Sequence, residues 1–270
     1  DNMQDIRISP SKLRKISSCL YQYKLHYIDG WRRIQDKAIY RFGHVCHEVV
    51  TQSISQRFKH NPSGLFASKW DKEINKDLHY NDNDSFDKFR DLGESLCARI
   101  PEALKGITCI SDVEIKFDVG FSGIRLNGFV DFICDFKGKK TLFDIKTLKS
   151  VSPYEVKMSD QLTLYSMAKK VPNVGIIAMY KTKKDPRIEI ITGKKTKKDY
   201  IDLQRKIKKA VSDISHRYYP KANDKMICQV CQLIPICYGT KKEVKAKLRQ
   251  IDTRQHTKKI EQKRKKSLFW

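Results

Sequence analysis

Apolar and polar positions recur along the chain first at helical and then at strand spacing. After Ser9, Pro10 and Ser11, a helix start with Pro near its first turn, Leu13, Ile16, Leu20, Tyr23 and Tyr27 return every three or four residues. They predict one helix over 9–28, carrying Cys19. From Lys37 to about Phe58 a second helical stripe runs through Phe42, Val45, Val49, Val50 and Ile54, and it sets Gly43 and His47 four apart on one face. Residues 60–93, with Asn-Asp-Asn-Asp at 81–84, predict helices joined by a solvated loop without chemistry of its own. The period then falls to two: Val113, Ile115, Phe117 and Val119 alternate with Glu114, Lys116 and Asp118, and turns at Ser122-Gly123 and Lys137–Lys140 separate this run from Ile124–Cys134 and Thr141–Thr147. That is a three-stranded meander. A helix from about Tyr154 to Lys170, strands at Val174–Tyr180 and Arg187–Thr192, and a helix from Thr196 to about Tyr218 complete the pattern. The class is α/β, a mixed central sheet flanked by helices.

The 270 residues suffice for one sizeable core or two modest ones, and no internal repeat is evident. No stretch approaches 18 uncharged apolar residues and no apolar run follows a basic flank at the N-terminus, so neither a membrane span nor a secretory signal is expected. The expected location is intracellular: cytoplasm, nucleoid or an organelle matrix. Charge sharpens this picture, because 55 Lys and Arg against 31 Asp and Glu give a formal +24. An excess of that size is matched to a polyanion, since self-repulsion is costly without a partner. An anionic membrane fits less well, for no basic amphipathic helix carries an aromatic face. The last 30 residues hold 12 Lys and Arg against 3 Asp and Glu and read as a basic helix or tail. Eight cysteines in an intracellular chain argue against a disulfide framework. Cys46, Cys97, Cys109 and Cys134 are scattered through apolar surroundings and read as buried small hydrophobes, whereas Cys228, Cys231 and Cys237 are clustered.

In Leu142-Phe143-Asp144-Ile145-Lys146, strand alternation throws Asp144 and Lys146 to one side and Phe143 and Ile145 to the other. Alone, Asp-x-Lys reads as a surface ion pair. The preceding strand puts a second acid, Asp131, in the apolar run Gly128–Cys134, where a carboxylate needs a partner. As hairpin arms, the two strands bring Asp131 and Asp144 together as hard oxygen ligands suited to Mg²⁺ or Mn²⁺. His47, beside Glu48 on its helix, offers a nitrogen that suits Mn²⁺ better than Mg²⁺; alone, it reads as a packed or capping histidine.

Gly-x-x-x-His at 43–47, Gly-x-x-Asp at 128–131, Asp-x-Lys at 144–146 and Gln-x-x-x-Tyr at 161–165 follow one another in the order and rough spacing of the RecB-like branch of the PD-(D/E)XK nucleases, which the chain resembles from about Ser9 to Cys237. Ser-Pro-Ser-x-Leu followed by Cys19 and Tyr23 also resembles this branch, with Leu20 where a Pro commonly follows that Cys. The resemblance implies a restriction-endonuclease-like core. It makes His47, Asp131, Asp144 and the Ile145 carbonyl the ligands of Mg²⁺ or Mn²⁺, with Lys146 orienting the attacking water and Gln161 and Tyr165 contacting DNA and bracing the site. Glu114 reads as an acid standing behind those ligands or as simple strand alternation. Cys228-x2-Cys231-x5-Cys237 supplies three soft ligands and Cys19 a fourth, a set that suits Zn²⁺ or a [4Fe-4S] cluster; spacing leaves both open. One cysteine before the core and three after it resemble the iron-sulfur staple of AddB-type and CRISPR-associated exonucleases, which implies the cluster.

The organisation expected is an N-terminal helical segment over 1–36, a nuclease core over 37–195, a helix and cysteine segment over 196–240, and a basic tail over 241–270. The expected activity is metal-dependent hydrolysis of DNA, exonucleolytic on single strands or free ends, in repair, recombination or replication. No Walker phosphate loop is present, so a helicase or recombination partner would be a separate chain. Two other readings are a non-catalytic, zinc-stapled nucleic-acid-binding protein and a trimming nuclease subunit of a larger DNA-processing complex.

Overall fold

The structure is a computed structural model that describes residues 7–121, 123–182 and 185–253. In chain order its elements are β1 (Arg7–Ile8), α1 (Pro10–Ser18), α2 (Leu20–Tyr23), a π-helical turn (Lys24–Ile28), β2 (Trp31–Arg33), β3 (Asp36–Lys37), α3 (Ala38–Ser55), α4 (Pro62–Asp71), β4 (Leu78–His79), α5 (Phe86–Cys97) and α6 (Ile100–Leu104). There follow β5 (Ile107–Phe121), β6 (Ile124–Phe136), β7 (Lys139–Leu148), α7 (Glu155–Met158), α8 (Asp160–Lys169), β8 (Asn173–Tyr180), β9 (Arg187–Lys194), α9 (Lys197–Ser215), α10 (Lys225–Gln229), α11 (Ile234–Tyr238), α12 (Lys241–Lys247) and β10 (Leu248–Gln250). They fall into two compact units, one of residues 1–10 and 36–207, the other of residues 11–35 and 208–270.

The larger unit is built on a six-stranded mixed sheet. β5, β6 and β7 form the expected antiparallel meander, β8 runs parallel to β7, and β9 returns antiparallel to β8. β8 is apolar and buried from Val174 to Tyr180, as a strand covered on both faces must be. The two-residue β1, parallel to β6, is too short to leave a period in the sequence. On one side of the sheet, Phe42, Val45, Cys46, Val49 and Val50 of α3 pack with Phe66 and Trp70 of α4, with Phe89 of α5, and with Phe132, Phe143 and Ile145 of the sheet. Asp144 and Lys146 alternate to the other side, where α8 lies.

Two expected helices are each broken once. The helix over 9–28 stops at Cys19, which is extended (φ −163, ψ 114), and restarts as α2. The break lets the Cys19 sulfur accept the Ala222 backbone N–H at 3.3 Å. The helix over 154–170 breaks at Ser159, whose side chain caps α8 by accepting from the Leu162 N–H. At Ser159 the side chain takes the Leu162 N–H from the helical ladder, and at Cys19 the Tyr21 N–H leaves it for the Pro220 carbonyl at 3.1 Å; apolar spacing carries no record of either. The smaller unit has its own core of Leu25, Leu233 and Leu248, with Trp31, Cys231, Ile236 and Val244 packed against it, and β10 pairs antiparallel with β2. The first part of the expected tail is therefore folded as α12 and β10; residues 254–270 lie outside the described residues. Among the described residues no helix is long and apolar enough to cross a membrane.

Candidate active site

Where β6 and β7 begin to part, just beyond the Phe132–Phe143 pair, the two strands present Asp131 and Asp144. Asp131 completes the ladder with its side chain: Oδ2 accepts the Ile145 backbone N–H at 2.6 Å and lies 3.0 Å from His47 Nε2. His47 reaches it because α3 comes in close over β7. A Cβ on Gly43, one turn before His47, would lie 2.8 Å from Thr147 Oγ1. At Gly128, the glycine of the second motif, a Cβ would lie 2.9 Å from the Phe117 ring. Both glycines are thus demands of close packing.

Asp144 is 3% exposed. Gln161 Nε2 donates to its Oδ1 at 2.8 Å and to the Tyr165 hydroxyl at 2.8 Å, and Lys146 Nζ donates to Gln161 Oε1 at 3.2 Å. Lys146 Nζ also stands 2.8 Å from Asp144 Oδ2, close enough for an ion pair, yet no donor is aimed at that buried oxygen well enough for a hydrogen bond. Burial pushes the Asp144 carboxyl up to about 6; Lys146 opposes the rise and the Asp131 carboxylate adds to it. At His47 burial pulls the imidazole down, but the bond to Asp131 and the charges of Asp131, Asp144 and Glu114 outweigh it, leaving the ring above its ordinary value.

All six of the expected site side chains, His47, Asp131, Asp144, Lys146, Gln161 and Tyr165, stand together here. Tyr165, 4% exposed and edge-on to Phe117, braces Gln161 from the interior. Glu114 keeps its place in the strand alternation, exposed between the half-buried Val113 and Ile115, but not the extended backbone. It sits in the left-handed region (φ +51) while its neighbours Val113 and Ile115 keep their pairing with Phe132 and Val130, so the strand carries local strain opposite Asp131. Among the described residues no three His, Cys, Asp or Glu side chains form a ready ligand group. The acids are closed on His47, Lys146, Gln161 and the Ile145 N–H instead. Asp144 Oδ2, with the Lys146 ammonium beside it but no hydrogen bond, stands near a second carboxylate, and carboxylate oxygens are donors of the kind that a hard divalent cation takes.

In the smaller unit Cys19, Cys228, Cys231 and Cys237 all line one pocket, together with Gln22, Lys221 and Tyr238. Gln22 Nε2 donates to Cys231 Sγ at 3.1 Å. Burial pushes the Cys237 thiol up, Lys221 opposes this, and the three neighbouring cysteines add to it. Cys46, Cys97 and Cys134 are buried as expected, and the side chain of Cys109 lies outside the described ones.

The description of the PD-(D/E)XK nuclease superfamily matches residues 7–238. Among solved structures, a candidate exonuclease from Eubacterium rectale is similar at 13% identity and a TM-score of 0.54, over 88% of this chain and 90% of that one. SSO0001 is similar at 15% identity and a TM-score of 0.39, over 86% and 85%. LHK-Exo in complex with dAMP follows at 8% and 0.32, over 64% and 87%. At these identities the likeness is one of fold, and the first alone is close enough to carry it. No curated protein matches the chain.

Proposed function

The chain belongs to the PD-(D/E)XK nuclease superfamily, and from that premise we propose that it is a divalent-metal-dependent deoxyribonuclease of the RecB-like branch, an exonuclease on single strands or free DNA ends. The observation that carries this reading is the meeting, at the parting of β6 and β7, of Asp131 bound to His47 with Asp144 bound to Lys146 and Gln161, the buried Asp144 Oδ2 being held by an ion pair without a hydrogen bond. In it, His47, Asp131, Asp144 and the Ile145 carbonyl hold Mg²⁺ or Mn²⁺. Such a cation neutralises charge on a phosphodiester and makes hydroxide available at neutral pH. Lys146, a cation held beside Asp144, orients water and offsets negative charge at the scissile group. Gln161 bridges Asp144 and Lys146 by hydrogen bonds, and Tyr165 fixes Gln161.

The four cysteines are assigned to a [4Fe-4S] cluster, with Zn²⁺ as the other occupant that four thiolates suit. Their common pocket supports this, as do the N–H donors aimed at Cys19 and Cys231. In this reading residues 37–195 are the nuclease core, 1–36 and 196–240 bring the cysteines, and 241–270 add basic charge for the DNA. Free thiols go with an intracellular location, and work in repair, recombination or replication with a separate helicase or recombination partner, or as a trimming subunit of a larger complex, follows from kinship with the branch.

The test is incubation of end-labelled single- and double-stranded DNA with Mg²⁺, Mn²⁺ or chelator. Nucleotides released from single-stranded ends with either ion, and none with chelator, are expected. Tight binding without hydrolysis under every ion would replace this reading with that of a non-catalytic binding protein.

A further inference from the structure

Lys195 is a buried lysine that the proposed chemistry does not use. It lies in the short link between β9 and α9 and is 2% exposed. Its backbone N–H is fixed to the Pro172 carbonyl at 2.8 Å. Its ammonium donates to two backbone carbonyls, Lys157 at 2.9 Å and Ser159 at 3.1 Å. These flank the break between α7 and α8. A helix that stops leaves its last carbonyls without intrahelical donors, and a buried carbonyl left so is costly. Lys195 supplies the donor for Lys157 and, through Ser159, ties the same junction to the start of α8.

That start is where the site is aimed. Ser159 caps α8 and its carbonyl also accepts from the Thr163 N–H at 3.1 Å and the Thr163 hydroxyl at 2.9 Å. Gln161, two residues on, is the group that reaches both Asp144 and Lys146. A swing of the first turn of α8 would carry Gln161 off both partners at once. Burying an ammonium is unfavourable unless it is hydrogen-bonded, and here two of its three donors go to main-chain carbonyls at a single place, with Asp199 and Asp160 the nearby countercharges and Lys206 a nearby like charge. The cation is placed for a fixed geometry of this junction.

We propose that Lys195 is a positioning residue of the active site, a buried cationic clamp that sets the α7–α8 break and through it the reach of Gln161 to Asp144 and Lys146. The proposal rests on the nuclease reading for its consequence in turnover, and on hydrogen bonding alone for the clamp.

The experiment compares the full chain with Lys195→Met, Gln161→Leu and the double variant. In Lys195→Met, amide hydrogen exchange over residues 157–165 should rise at least about tenfold, and the side-chain amide resonances of Gln161 should shift, while the rest of the sheet stays protected. With DNA and Mg²⁺, kcat should fall about tenfold or more with KM within about twofold, the pattern of a misplaced group and not of lost binding. In the Gln161→Leu background, Lys195→Met should cost almost nothing further in kcat, because the two changes remove one effect. Lys195→Arg should recover part of the turnover. Unchanged exchange and unchanged Gln161 resonances would overturn the clamp, even in a chain that cleaves nothing. An equal loss of kcat in both backgrounds would overturn the action through Gln161. Should Lys195→Met not fold, Lys195→Gln, which keeps a donor and loses the charge, is read in the same way with a smaller expected change.

Discussion

The two units divide the chain's charge unevenly. The larger, residues 1–10 and 36–207, holds 32 Lys and Arg against 25 Asp and Glu; the smaller, residues 11–35 and 208–270, holds 23 against 6 in less than half the length. The larger unit uses many of its charges on each other, in pairs such as Arg41 with Glu73, Arg90 with Asp71 and Lys146 with Asp144. The smaller unit has too few acids to do the same. A net charge of +24 therefore describes neither unit. The near-balanced one carries a buried carboxylate network suited to chemistry, and the basic one carries four thiols and most of the attraction for a polyanion. If this division is real, changes in one unit should strike turnover and changes in the other should strike stability and grip.

The largest separation is expected at the carboxylate network. Asp144→Ala and Lys146→Ala should each lower cleavage by about a thousandfold or more while DNA affinity stays within about twofold, because in the proposed function they remove a cation ligand and the water-orienting charge but none of the smaller unit's basic residues. Single-turnover cleavage and fluorescence anisotropy on the same oligonucleotide check it. Wild-type-like turnover in either variant removes the site assignment, and a parallel collapse of binding removes the division between the units.

The thiol pocket is expected to break the other way. Anaerobically purified protein should be brown with about four iron atoms per chain, and Cys19→Ala should lose iron, colour and stability together. Joining Cys19 to the C-terminal cysteines closes a loop of about two hundred residues, worth roughly 5 kcal/mol by analogy with a disulfide, besides the cluster's own binding energy. Cys97→Ala, in the core of the larger unit, should leave iron content unchanged. Colourless protein with one equivalent of zinc would replace the cluster and leave the nuclease reading standing.

Burial of Asp144 sets a smaller effect with an opposite sign. Its folded pKa, about 6, lies above the ordinary 3.8, so the unfolded chain gives up this proton at lower pH than the folded one. The group therefore costs the fold nothing below about pH 4 and an increasing amount as pH rises from there to about 6, about 3 kcal/mol in all. Chelated protein should lose that stability between pH 4 and 7 in urea unfolding, and Asp144→Asn should flatten the slope. Mg²⁺ should restore stability at pH 7 in the wild type and not in the variant. Identical slopes would mean that Asp144 is not the strained carboxylate.

Much of this was legible in the sequence, and the parts that were not share a cause. The meander, α3, β8, β9 and α9 announce themselves because long elements bury one face at a fixed period, and the period survives in the letters. The motif residues were legible as a set, since Asp131 and Asp144 stand in apolar runs where a carboxylate needs a reason. The breaks at Cys19 and Ser159 were not legible. Each is decided by one hydrogen bond to an atom distant in sequence or to a capping side chain, against an apolar spacing that continues unbroken. Glu114 looked like simple alternation because a single left-handed residue leaves its neighbours in register. Lys195 gave no signal at all: a lysine among Lys194, Lys197 and Lys198 reads as solvated, and only the fold turns it inward.

The smallest expected effect tests the basic unit directly. Cutting the chain after Thr253 removes residues 254–270, with 7 Lys and Arg against 1 Asp or Glu, and spares β10, whose Leu248 belongs to the smaller unit's core. A cut at 241 would remove that core residue and confuse folding with grip. Each phosphate neutralised on a single strand contributes about −0.7 to the slope of log affinity against log salt. If the segment meets even three phosphates, the slope should become shallower by about 2, and affinity near physiological salt should fall about tenfold. Phosphate contacts position the strand and do not perform the reaction, so kcat at saturating DNA should stay within about twofold. Anisotropy across a salt series and steady-state cleavage measure both. An unchanged slope would mean that the segment serves another partner, and the excess charge that grips DNA would then have to lie within residues 11–35 and 208–253.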